Sequence, residues 1–151
     1  FRYDLITELV GELAEVVHAK NKVLTAAVFP GPHSVAKRIV RQEWNLWEID
    51  AFYPMNYNDF YLEDTDWIGE VCKEADDATD KPFYSGLFIC PDPENKYLKK
   101  DPENHGLTPS ELGDAIRKSI ANGADGICLF TPGRMTDEGW SVLAKTLKEL
   151  E

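Results

Sequence analysis

Ile49-Asp50-Ala51-Phe52-Tyr53-Pro54-Met55-Asn56-Tyr57-Asn58-Asp59-Phe60-Tyr61 is the stretch that decides the fold of this chain. It begins as an apolar and aromatic run, the composition of a buried strand, and then changes into amides, phenols and a carboxylate. In parallel α/β architectures the carboxyl ends of strands carry the chemistry. The stretch therefore predicts both a parallel sheet and the face on which a site would stand. Alternation along it puts Ala51, Tyr53, Met55 and Tyr57 on one side.

Three further apolar runs have strand character, at residues 23–29, 83–89 and 125–131. Amphipathic segments separate them. Residues 3–20 carry Ile6, Leu9, Val10, Leu13, Val16 and Val17 at the spacing of one helix face, with Asn21 as a left-handed stop. Ser34 is expected to cap a helix to residue 43, and Asp64 or Thr65 one to residue 73. Thr108-Pro109-Ser110-Glu111 combines an N-cap, a proline at the first helical position and a capping-box glutamate. Thr136 opens a last helix ending at Leu150. The order is one helix followed by four βα units, with strands apolar on both faces, which points to a parallel sheet covered by helices.

Such an order closes either as a small doubly wound domain or as half of an eight-stranded barrel, which takes ~250 residues when complete. Three features favour the half-barrel. The chain opens on a helix, the second and third βα loops are long and polar, and no glycine-rich phosphate loop follows the first strand. The expectation is a single domain over residues 1–151, the C-terminal half of a (β/α)8 barrel comprising its fourth helix and βα units five to eight.

The formal net charge is −11, which argues against a nucleic-acid or anionic-membrane partner, since phosphate needs a basic footprint. No apolar run approaches the ~20 residues of a membrane span. Cys72, Cys90 and Cys128 include no C-x-x-C pair, so neither zinc nor a redox dithiol is suggested, and no metal or other cofactor is expected. Cys128 sits in a strand pattern as a small apolar group. The compartment stays open.

Met55-Asn56-Tyr57-Asn58 resembles the Met-x-Tyr-Asp phrase ending the sixth strand of chitinase-like (family 18) glycoside hydrolases, with Asn58 at the aspartate position. The longer phrase from Trp47 to Tyr57 is similar to one in uncharacterised glycosyl-hydrolase-like barrels, and Gly123-Ala124-Asp125-Gly126-Ile127-Cys128-Leu129-Phe130 to their final strand. The resemblance implies a glycoside-hydrolase-like barrel acting on a polysaccharide or glycan. It implies that Tyr57 positions a substrate N-acetyl group. Asn58 cannot ionise and so departs from the family's second role. The family's Asp-x-x-Asp-x-Asp-x-Glu motif, which holds the general acid, is not in this sequence. Its expected place is upstream of Phe1, so the fragment alone is expected to be inactive.

Tyr57 and Asp59 are the catalytic candidates. Asn56, Asn58, Tyr61, Trp67, Asp92, His33 and Arg134 are candidates for binding substrate. Tyr57, Asn58 and Asp59 would line a sugar site, Asp92 would reach it from the third strand, His33 from the first and Arg134 from the fourth. Trp67 could stack on a pyranose, and Trp140 has the same placement. Trp44 and Trp47 read as core, and Asp50 as a residue of the opposite, stabilising face. A non-catalytic carbohydrate-binding or scaffold domain is the alternative. An aldolase-type phosphate site ranks last, because Thr131-Pro132-Gly133-Arg134 offers one glycine and no backbone cradle. Unpaired sheet edges and an exposed inner face predict that the half-barrel associates with itself or with the missing half.

Overall fold

The computed structural model of the protein describes residues 1–89 and 106–151. Among the described residues the order is α1 (Arg2–His18), β1 (Thr25–Val28), α2 (Lys37–Val40), β2 (Ala51–Pro54), α3 (Thr65–Ala78), β3 (Tyr84–Phe88), α4 (Pro109–Ala121), β4 (Gly126–Phe130) and α5 (Asp137–Leu150). All strand pairings are parallel.

Among the described residues the expected four-stranded sheet is not formed as such. β1 pairs with β2, and β3 with β4, in two two-stranded sheets. Between β2 and β3 there are only isolated bridges, Phe52 with Phe83 and Met55 with Gly86. Proline explains the interruption. The Phe52 N–H donates to the Pro82 carbonyl at 3.0 Å. Two residues on, Pro54 faces the same side and has no N–H to continue the ladder. Where it resumes, Gly86 is the residue that lets the backbones approach.

Strands are shorter than their apolar runs, and helix starts follow their capping chemistry. Asp64 accepts from the Asp66 and Trp67 N–H groups, Thr108 and Glu111 complete a capping box, and Thr136 accepts from Gly139. Asn21 takes the left-handed conformation, φ 54°. The segment after β1 departs from expectation. Ser34 does not cap it. Pro32–Ala36 forms a π-helical turn leading into α2, and Glu74 of α3 accepts from the His33 and Ser34 N–H groups at 2.5 and 2.9 Å. A cap supplied from 40 residues away carries no local signal.

α1 also departs from its expected single face. Ala14 is buried and Ile6, Val10 and Val17 are half-buried, whereas Leu9, Leu13 and Val16 are exposed.

The core lies between the strands and α3, α4 and the segment preceding β2. Trp44, Phe52, Ile68, Phe83, Leu87, Leu112 and Ile116 are fully buried, each worth about 1.5–3 kcal/mol against exposure. Trp44 packs on Phe52 at 4.8 Å between ring centroids and donates its indole N–H to the Phe29 carbonyl. Asp50, at the amino end of β2, accepts from the Leu24 N–H and the His18 imidazole, at 2.7 and 2.8 Å. It thus ties α1, β1 and β2 together at the face opposite the strands' carboxyl ends.

Candidate functional site

After Pro54 the backbone coils. The N–H groups of Asn56, Tyr57 and Asn58 each donate to the carbonyl two residues back, at 2.9, 2.8 and 3.1 Å. Side chains still leave alternately to either side. Asn56 is turned away from the open side and is 1% exposed. Its amide donates to the Ser85 hydroxyl at 3.0 Å and to the Cys72 sulfur at 3.4 Å, and Ser119 of α4 donates to Ser85 at 2.9 Å. Asn56 therefore pins the strand end to the helix layer, which removes it from the substrate-binding set.

Tyr57 points the other way. Its ring lies 5.5 Å from Phe88, 5.8 Å from Phe60 and 6.0 Å from Phe130, nearly parallel to the last. One layer below, Tyr53 stacks on Tyr84 at 5.2 Å. The register explains the assembly. Phe88 and Phe130 are direct partners across β3 and β4, as are Tyr84 and Gly126. Residues at every second position share a face, so β3 and β4 present an aromatic surface beside β2. Cys128, between Gly126 and Phe130, falls on this same open face and is half-buried rather than a core residue.

At the carboxyl end of β2 a cavity of about 230 Å³ is lined by Phe29, Met55, Tyr57, Phe60 and Tyr61. Burial, and secondarily Cys128, push the Tyr57 phenol above its ordinary value, and burial does the same to Tyr61. Both remain protonated at neutral pH. A phenol in that state donates a hydrogen bond and acts as no base. Flat aromatic faces around one such donor suit the C–H face of a sugar ring, with the hydroxyl left for orientation.

The loop following Tyr57 is held by its own side chains. Asn58–Tyr61 is a 3-10 turn. The Asn58 amide donates to the Glu63 carbonyl at 2.9 Å, the Glu63 N–H returns a bond to the Asn58 carbonyl, and Leu62 takes φ 59°. Asn58 is buried and closes this turn, so its side chain is spent on structure. Asp59 accepts from the Gly106 N–H, joining the loop to the segment before α4. Tyr61 packs on Trp67 at 4.9 Å between ring centroids. Trp67 is half-buried against the core, which leaves Tyr61 the nearer of the two to the cavity.

The remaining candidates stand apart. His33 is exposed in the π-helical turn. Arg134 is exposed beside a small cavity of about 80 Å³ with Ile89, Leu107, Pro109 and Met135. Among the described residues, no hydrogen bond or ring contact joins either to Tyr57. Asp92 lies outside the described residues. Trp140 is exposed at the start of α5. Phe88, Phe130 and Phe60 were not singled out from the sequence. The signal for Phe88 and Phe130 is the alternation Tyr84-Gly86-Phe88 beside Gly126-Cys128-Phe130, readable only with a strand order in hand; Phe60, in the turn after β2, carries none. Among the described residues no group of three or more metal-ligating side chains converges.

No family model matches the chain, and no curated protein sequence matches it. Among solved structures it is similar to a chitinase from Chromobacterium violaceum, at 13% identity and a TM-score of 0.67, over 93% of this chain and 60% of that one. It is also similar, at 14% identity and a TM-score of 0.46, to a dihydrodipicolinate synthase from Bacillus clausii, over 91% of this chain and 44% of that one. The first likeness shows a TIM-barrel-like fold, and it shows the fold alone. The chain spans 60% of the length of that chitinase.

Proposed function

We propose that the chain is the sugar-binding part of a glycoside-hydrolase-like barrel, its C-terminal half, acting on a polysaccharide or glycan. The observation that carries this reading is the aromatic cluster at the carboxyl end of β2, where Phe60, Phe88 and Phe130 surround the protonated Tyr57 phenol. The similarity in fold to a chitinase supports it. In this reading Tyr57 donates to a carbonyl or hydroxyl of the bound sugar, and the rings stack on its C–H faces. Asp59 fixes the loop that carries Phe60 and Tyr61 through the Gly106 N–H. Protonation of the glycosidic oxygen is assigned to a carboxylate outside this chain, as retaining and inverting enzymes alike require an acid.

A second reading, a carbohydrate-binding domain without catalysis, is favoured by Asn58. It occupies the position where an ionisable partner of Tyr57 would stand, and its amide is committed to the Glu63 carbonyl.

Titration calorimetry of the chain with soluble oligosaccharides, with and without N-acetyl groups, tests the shared premise. Saturable binding that Tyr57→Ala weakens about tenfold, ~1.4 kcal/mol, is expected. A folded chain that binds none of the panel would overturn both readings. Hydrolysis of chromogenic glycosides by a polypeptide containing the whole barrel then separates the first reading from the second.

A further inference from the structure

Tyr57 leaves the chain from a bend, and the bend alone does not aim it. The Met55 N–H still donates to the Val28 carbonyl of β1 at 2.8 Å, but the next three N–H groups donate two residues back. Tyr57 itself takes φ −84° and ψ 80°, the conformation of an inverse γ-turn. Bonds of this kind curve the backbone without choosing which side chain turns inward.

A buried polar cluster behind the bend makes that choice. Asn56, Cys72, Ser85 and Ser119 meet there from the end of β2, α3, β3 and α4, each 1% exposed or less. The Asn56 amide directs its hydrogens to the Ser85 hydroxyl and the Cys72 sulfur. Ser85 is the hub. It also accepts from the Ser119 hydroxyl at 2.9 Å, and the Cys72 sulfur stands 3.5 Å away. Apolar side chains would fill the same space, but directional bonds specify one arrangement of it. Alternation passes the choice to the next residue. With Asn56 inward, Tyr57 leaves on the open side, and a slip of one residue would exchange the two.

β3 holds this arrangement from both faces. Ser85 takes Asn56 on the helix side, and three residues on Phe88 meets the Tyr57 ring on the open side, 5.5 Å between centroids. The end of β2 rejoins β3 between them, at the bridge of Met55 with Gly86. The spacing of Tyr57 and Phe88 is therefore set through one strand, and α4 reaches it through the Ser119 hydroxyl.

We propose that Ser85 and Ser119 are positioning residues for the candidate sugar site. By holding Asn56 inward they fix the direction of the Tyr57 phenol and its spacing from Phe88, without touching ligand themselves. The consequence for affinity rests on the sugar-binding reading, whereas the geometric claim stands apart from it.

Ser85→Ala and the milder Ser119→Ala test this, with circular dichroism as the check on folding. Thr146→Ala, a buried change in the seam of α4 and α5, is the control. In aromatic NMR of the free chain, the Tyr57 and Phe88 resonances should shift in both serine variants and stay in place in the control. In calorimetry with the same oligosaccharide panel, Ser85→Ala should weaken binding about five- to tenfold and Ser119→Ala about two- to threefold, in keeping with the net worth of single hydrogen bonds. In a Tyr57→Ala background the effect of Ser85→Ala should fall below about 1.5-fold, because it runs through that ring. Where Ser85→Ala does not fold, Ser119→Ala carries both readouts. Tyr57 and Phe88 resonances that stay unmoved in folded serine variants, or move as far in Thr146→Ala, would overturn the proposal. So would a loss of affinity that persists in full without the Tyr57 ring. An unchanged chain that binds no oligosaccharide would overturn the sugar-binding reading instead, and the resonances of the free chain then decide the positioning claim.

Discussion

Gly86 of β3 lies under the carbonyl of Pro54 in β2, so close that a Cβ at position 86 would stand 2.6 Å from that oxygen and 3.3 Å from the Met55 Cα. The end of β2 reaches Tyr57 only by crossing this point. Gly86→Ala should therefore push the strand end outward. It should cost about 1–3 kcal/mol of stability, the usual range for overpacking. Chemical denaturation measures this, and the variant should also lose oligosaccharide affinity. Unchanged stability would show that β2 is not held against β3 at this residue.

The rings around Tyr57 should contribute unequally. Tyr57→Phe removes only the hydroxyl and should weaken sugar binding a few-fold, the worth of a hydrogen bond of about 0.5–1.5 kcal/mol. Phe88→Ala removes a platform that touches Tyr57, Phe60 and Phe130 together, and should lose more affinity than Phe130→Ala. Calorimetric titrations of the three variants check the order. A Tyr57→Phe variant with full affinity would remove the donor role.

Asn56 is predicted to matter for stability rather than for ligand contact. Its amide N–H bonds run to Ser85 and Cys72 behind the strands, and its side-chain oxygen is buried without a partner. Asn56→Ala removes one of the donors to the Ser85 hydroxyl, which keeps that of Ser119, and opens a cavity. A loss of about 1–3 kcal/mol is expected. Asn56→Asp should be destabilising near neutral pH and less so in acid, because a buried carboxylate must be protonated to be tolerated. A variant with native stability and reduced sugar affinity would instead return Asn56 to the binding surface.

The acid side of the stability profile should depend on Asp50 and Asp114. Hydrogen bonds from His18 and then Leu24 lower the Asp50 carboxyl below its ordinary value of 3.8, and Lys118 and then Thr65 lower that of Asp114. A carboxyl whose folded-state pKa is depressed contributes stability that is fully present above the unfolded value. That stability is lost as pH falls through the folded one. Denaturation midpoints from pH 6 down to about pH 2 should fall across that acid window. Asp50→Asn with Asp114→Asn should flatten the decline. An unaltered acid slope in the double variant would assign it to other carboxylates.

Much of this fold was legible because its signals are local. Thr108 with Glu111, Asp64 and Thr136 open their helices through bonds to residues two or three positions away. The alternation that put Tyr53, Met55 and Tyr57 on one side holds in the ring stacking of Tyr53 and Tyr57. What escaped needs tertiary knowledge. Glu74 caps a turn distant in sequence, Pro54 interrupts a ladder whose partner strand the sequence does not identify, and Phe88 meets Phe130 only through register. Asn56 and Asn58 read as ligand-binding amides because exposed and buried amides look alike in sequence. Their fate was decided by Ser85 and Glu63.

Aromatic ¹H–¹³C NMR of the chain during titration with a soluble oligosaccharide addresses the sugar site most directly. The resonances of Tyr57, Phe60, Phe88 and Phe130 should move together and saturate with one affinity, while those of Trp44 in the core stay in place. Saturating sugar that leaves the Tyr57 and Phe88 signals unmoved, or shifts rings elsewhere in their stead, would contradict it.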